Sequence, residues 1–170
     1  FRRVLFRSSG PENVRHNFDV SVPEPELSET YLHAFRECVE TAHVEGVMGA
    51  YNSFNGRPCC GNEFLLTETL RNRWGFRGYV TSDCWAIVDF YRGYGVAKTP
   101  QEAAAQAVKS GCDVNCGCTY PHLEDAVREG LITEREIDAA LIRLFTTRMR
   151  LGILGGAKTP YDSIAYAEVD

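Results

Sequence analysis

Asp83 closes a short β-branched and aromatic run, Gly78-Tyr79-Val80-Thr81, and is followed by Cys84-Trp85 and then a helical pattern. A carboxylate at the C-terminal end of a strand that feeds a helix stands where barrel and doubly wound folds keep their chemistry. Ser82-Asp83 also suits a helix N-cap, and for that pair alone the two readings carry equal weight. Trp85 tips the balance, because a flat apolar ring beside a carboxylate suits the face of a sugar. Cleavage of a glycosidic bond with retention takes two carboxyl groups, one as nucleophile and one as acid/base. Asp83 can be the first. Asp89, a helical turn further on, and Asp113, just before its strand end, read as structural acids. Either the second carboxyl lies outside this chain, or Asp83 is not such a nucleophile.

Two other strand ends carry polar residues. Gly46 to Tyr51 is a short apolar run ending in Tyr51-Asn52, and Cys112 to Cys116 contains Asn115. In a barrel such ends share one mouth. A Tyr51 hydroxyl there could donate to a carboxylate and keep it ionised, although packing alone also accounts for a Tyr at a strand end.

The elements that must position these ends alternate. Pro23-Glu24-Pro25-Glu26 opens a helix with Leu27, Tyr31, Ala34, Phe35, Cys38 and Ala42 on one face, running to about His43. Asn55-Gly56 marks a turn, and Asn62 caps a helix that Gly75 ends. Thr99-Pro100-Gln101-Glu102 starts another helix. Thr133-Glu134-Arg135-Glu136 is a capping box for a longer one, with Ile137, Ala140, Leu141, Leu144 and Phe145 on one face. Ser9 to Val22 reads as a loop. The order argues for parallel strands joined by helical crossovers. The expected fold is α/β, the C-terminal part of a (β/α)8 TIM-type barrel, incomplete because three strands cannot close one.

Composition narrows the function classes. The 170 residues carry a net charge of -5 with no basic block, which argues against nucleic acid or an anionic membrane as partner. No run approaches the roughly 18 apolar residues of a membrane span. The seven cysteines lack paired Cys-x-x-Cys spacing, and the four histidines do not cluster near them. No metal and no cofactor are expected, and most thiols are read as free and buried. The compartment stays open, with secretion or a periplasmic location both compatible.

The same residues carry a resemblance. Val47-Met48-Gly49-Ala50-Tyr51-Asn52, Asn55-Gly56-Arg57-Pro58-Cys59, Leu65-Leu66, Leu70-Arg71 and Trp74 through Asp83 succeed one another in an order and spacing that resemble glycoside hydrolase family 3. That is the β-glucosidase and β-xylosidase family. Ala107 to Gly117, Val127 to Leu131 and Arg143 to Gly152 are similar to it as well. The resemblance implies that Asp83 is the nucleophile, that Tyr51 orients it, and that Trp85 lies near the sugar-binding mouth. Ser9-Gly10-Pro11-Glu12 and Arg15-His16 are similar to the residues just C-terminal to the family's sugar-binding Lys-His pair, which places Arg15 and His16 among the substrate-binding residues. Cys84 and the Cys112/Cys116 spacing fit the xylosidase-like branch. Trp85 stands where that branch would have a small or acidic residue, so glucoside and xyloside both stay open.

The chain is expected to divide in three. Residues 1–8, basic and matching one frame of a sequencing-adapter oligonucleotide, are set aside as a non-native artefact. Residues 9–156 form part of the barrel domain, and 157–170 an extended linker toward a second domain that supplies the acid/base. The expected substrate is a terminal β-linked sugar on a glycoside or oligosaccharide. A fragment without that acid/base, and without the family's Lys-His pair, whose place Phe1 to Ser8 takes, is expected to be inactive by itself. The alternatives are a non-catalytic carbohydrate-binding or interaction module, and a barrel enzyme using Asp83 as a base.

Overall fold

The computed structural model describes residues 12–154, 156, 158 and 160–164. The proposed artefact at 1–8, Ser9 to Pro11 and the last residues of the proposed linker lie outside them. A 3-10 turn at Glu12–Val14 leads into β1 (Asp19–Val20). A helical stretch comes next, made of α1 (Glu24–Glu26), a π-helical segment Leu27–Tyr31 and α2 (His33–Glu40). Then come β2 (Gly46–Gly49), β3 (Ser53–Phe54) and β4 (Arg57–Pro58), a π-helix Phe64–Arg73, and β5 (Tyr79–Ser82). The chain ends in α3 (Asp89–Arg92), α4 (Pro100–Ser110), α5 (Leu123–Arg128) and α6 (Glu134–Arg150).

β2 and β5 pair in parallel, Gly46 with Tyr79 through Gly49 with Ser82. Val114 bridges Thr81, also in parallel. Strands joined by helical crossovers make this an α/β fold. The third strand is shorter than the sequence predicts. The amides of Asp113 and Val114 both donate to the single carbonyl of Val80, at 2.8 and 3.0 Å, so the ladder does not extend.

A second small sheet has the order β1-β3-β4, with β1 parallel and β4 antiparallel to β3. Asn55 and Gly56 turn the β3–β4 hairpin with φ of 51° and 75°, as an Asn-Gly turn of the primed type requires. Asp19 holds this turn from β1: its Oδ1 accepts from the Gly56 amide at 2.9 Å and from the Ser53 hydroxyl. The loop expected over Ser9 to Val22 thus contains a strand. Asp19–Val20 is extended because β3 supplies its partner, not because of local sequence.

The helix starts obey their caps. Thr99 Oγ1 accepts from the Glu102 amide at 3.1 Å, and Thr133 and Glu136 form the reciprocal capping box. The core between sheet and helices holds Leu65, Leu66, Leu70, Val80, Ile87 and Phe90, all fully buried. Gly49 ends β2 against it, where a Cβ would lie 2.6 Å from Cys60 Sγ.

One expectation is corrected. On α6 the buried positions are Ala140 and Thr147, whereas Leu141 is exposed together with Ile142 and Met149. Among the described residues α6 is covered along a narrow stripe, not the broad face the apolar spacing predicts. Most of the seven thiols are free, as expected, and three of the free ones are buried. Cys84 and Cys116 form a disulfide, while Cys38, Cys59, Cys60, Cys112 and Cys118 are free. Adjacent parallel strand ends bring Cys84 and Cys116 together across 32 residues, a proximity that spacing in the chain does not reveal.

Candidate active site

Parallel pairing puts Tyr51, Asp83 and Asn115 just beyond the C-terminal ends of neighbouring strand segments. Asp83 continues the sheet by one bond, its amide donating to the Gly49 carbonyl at 2.9 Å. Its half-buried carboxylate accepts from the Cys84 amide at 2.8 Å. The strand therefore fixes the Asp83 backbone while the side chain stays open at the sheet end.

The next two residues are pinned from three directions. The Tyr51 hydroxyl, expected at the Asp83 carboxylate, donates to the carbonyl of Cys84 at 2.6 Å. The disulfide ties Cys84 to Cys116, and the Trp85 amide donates to the Cys116 carbonyl at 2.7 Å. Trp85 is held at φ 70°, a left-handed conformation uncommon for a bulky residue. Its side chain is 56% exposed. An exposed indole on a backbone fixed this firmly offers a flat apolar face next to Asp83.

Arg15 and His16 come to the same place from the far end of the chain. The His16 ring lies 4.4 Å from the Tyr51 ring, and the Arg15 guanidinium sits 4.8 Å above that ring. Arg15 Nε donates to His16 Nε2 at 3.2 Å, and His16 Nδ1 bonds Asp89 Oδ2 at 2.8 Å. Asp89, read from sequence as a structural acid, is thus part of this cluster. Burial pushes its carboxyl above the ordinary range, opposed by His16 and Arg15. Tyr94, which the sequence does not single out, donates to the Tyr51 carbonyl at 3.0 Å. Burial pushes its phenol upward, so it stays a donor.

Asn115 and Asp113 serve the framework. Asn115 Oδ1 accepts from the amides of Thr119 and Tyr120, and its Nδ2 donates to Ser82 Oγ at 3.3 Å. Asp113 is buried between Arg71 and Arg143, at 2.7 and 2.6 Å, and accepts from the Val80 amide at 2.8 Å. Among the described residues no group of three or more metal-ligating side chains forms.

The sequence-predicted residues Tyr51, Asp83, Trp85, Arg15 and His16 are therefore brought to one end of the sheet. The disulfide, Asp89 and Tyr94 complete the surroundings, and the order of residues signals none of them, because each depends on a partner distant in the chain.

Comparison with known proteins gives this arrangement its setting. The model of the glycosyl hydrolase family 3 N terminal domain matches residues 9–147. The chain is 43% identical over 158 residues to probable beta-D-xylosidase 7 of Arabidopsis thaliana, covering 91% of this chain and 21% of that protein. It is 43% identical over 161 residues to a probable exo-1,4-beta-xylosidase of Aspergillus clavatus, covering 92% and 21%. Among solved structures, an exo-beta-xylosidase of the family in complex with a xylobiose aziridine probe superposes with a TM-score of 0.85. It is 33% identical, and the match covers 91% of this chain and 20% of that one. A β-glucosidase from Erythrobacter marinus gives a TM-score of 0.77 at 30% identity, over 82% of this chain and 19% of that one. The chain spans about a fifth of the length of the curated relatives it matches. By its family match and its fold, the chain belongs to glycosyl hydrolase family 3, within the N-terminal domain.

Proposed function

We propose that this domain carries the nucleophile of a retaining exo-β-glycosidase. In the whole protein an Asp83 carboxylate oxygen attacks the anomeric carbon of a terminal β-linked sugar. The glycosidic C–O bond breaks, and the leaving oxygen keeps the bonding pair and takes a proton from an acid outside this chain. Water, deprotonated by the same group, then cleaves the glycosyl-aspartate. The observation that carries this reading is the convergence of Tyr51, Trp85, Arg15 and His16 around the strand end that bears Asp83.

The parallel pairing of β2, β5 and Val114 supports a wider placement: residues 9–156 as part of a (β/α)8 barrel whose other strands lie elsewhere in the whole protein. In that placement residues 157–170 lead toward a further domain. The names of the relatives make β-xylosides the first substrates to try, with β-glucosides second.

The test is made on the full-length protein. Asp83→Asn should lower turnover by several powers of ten with the fold intact, because an amide cannot act as the nucleophile. A 2-fluoro glycoside should leave a sugar attached to Asp83. Peptide mapping that places the label on another carboxylate, or an undiminished rate in Asp83→Asn, would falsify this reading.

A further inference from the structure

The segment carrying Arg15 and His16 is a turn closed locally by the Asn17 amide on the Val14 carbonyl at 3.0 Å. It is seated on α3 and the residues just after it. Gly93 meets the His16 backbone so closely that a Cβ there would lie 2.8 Å from the His16 carbonyl oxygen. The Tyr94 hydroxyl lies 3.4 Å from the Phe18 carbonyl. Asp89 supplies the contact that reaches the side chains.

The two hydrogen bonds of His16 fix its protonation between them. Arg15 Nε can only donate, so His16 Nε2 must be an acceptor. A ring with an unprotonated Nε2 carries its proton on Nδ1, and that proton points at Asp89 Oδ2. The Nδ1–H tautomer, set by Asp89, thus leaves Nε2 able to hold Arg15. With the proton on Nε2 instead, two N–H groups would face each other and Arg15 would lose this bond, one of the contacts that place it above Tyr51.

From this we infer that Asp89 is a positioning residue: it selects the His16 tautomer and through it places the Arg15 guanidinium over Tyr51, at the mouth beside Asp83. Its consequence for substrate rests on the function proposed above. The relay from Asp89 to Arg15 does not.

Two measurements on the full-length protein separate these. Two-bond proton–nitrogen NMR of labelled histidine reads the tautomer directly. Asp89→Leu, close in size but unable to accept, should move the His16 proton from Nδ1 to Nε2. Asp89→Asn should leave a mixture, since an amide can accept or donate, and it serves if the leucine variant does not fold. With a β-xyloside as substrate, KM should rise about tenfold in Asp89→Leu, the scale of one misplaced charge-assisted hydrogen bond, with a smaller change in kcat. Asp89→Asn should fall between it and wild type. A His16 that keeps its Nδ1 proton in both variants overturns the inference, whether or not any sugar is hydrolysed. A shifted tautomer with unchanged KM overturns the positioning of Arg15 for substrate. A wild-type protein that cleaves no glycoside counts against the proposed function alone, and the NMR result still decides the relay.

Discussion

Trp85 combines two properties that one substitution can separate. Its φ of 70° costs a bulky residue about 1 kcal/mol or more, and its exposed ring offers an apolar face beside Asp83. Trp85→Gly removes both. Thermal unfolding should then show a midpoint that holds or rises, while KM for an aryl β-glycoside rises in the full-length protein. A lower midpoint with unchanged KM would assign the indole to packing instead. At this scale the sequence is informative where chemistry is local. Asp83 and Trp85 announce themselves by residue type at a strand-to-helix junction. Asp89 does not, because its meaning depends on His16, 73 residues away. The Tyr51 hydroxyl reads from sequence as a partner of the Asp83 side chain, since residue types alone cannot distinguish a carboxylate acceptor from the peptide oxygen of Cys84.

Helix starts are readable because caps are short-range devices. The Thr133 and Glu136 side chains each accept from the other's own backbone amide within four residues, so spacing alone announces the start of α6. Thr133→Ala should cost about 1 kcal/mol in a denaturant titration. Glu136 adds a pH dependence of known sign. The Thr133 hydroxyl and amide hold its carboxyl below the ordinary 4.5, so the stability it contributes is present above 4.5 and is lost as pH falls through the lower folded value. Amide exchange in the first turn of α6 should therefore quicken relative to a Glu136→Gln variant's as pH falls through that range. Strands are harder. β1 and the shortened third segment owe their extent to distant partners, β3 and the Val80 carbonyl, and no periodicity in two or three residues reveals that.

Across the molecule, Asp113 joins three elements to its own segment. Its carboxylate binds Arg71 of the π-helix, Arg143 of α6 and the Val80 amide of β5 from its own strand segment. Burial first, and the Arg143 charge after it, pull the Arg71 guanidinium below its ordinary value, and Asp113 opposes that shift. Asp113→Ala should cost about 3–5 kcal/mol, because it leaves two guanidinium groups facing each other with no counter-charge. Chemical denaturation would check it, and a loss below about 1 kcal/mol, the scale of a solvent-exposed pair, would show that the two arginines reach solvent without it. The disulfide adds a second long-range tie. Replacing Cys84 and Cys116 by Ser together should cost roughly 4 kcal/mol, the loop-closure scale for a bridge of this span. Trp85 would also lose one of the ties that fix its loop.

The two parallel pairings that β5 makes share one offset. Gly46 meets Tyr79 and Thr81 meets Val114, each 33 residues on, so both crossovers close loops of the same size. Loop closure must be completed before any strand bond repays it, whereas the capped helices need only their own neighbours. Refolding is therefore expected to run in two kinetic stages. Far-ultraviolet dichroism should gain helix early, and protection of the Val80, Ser82 and Asp83 amides, whose partners all lie in another strand segment, should come late.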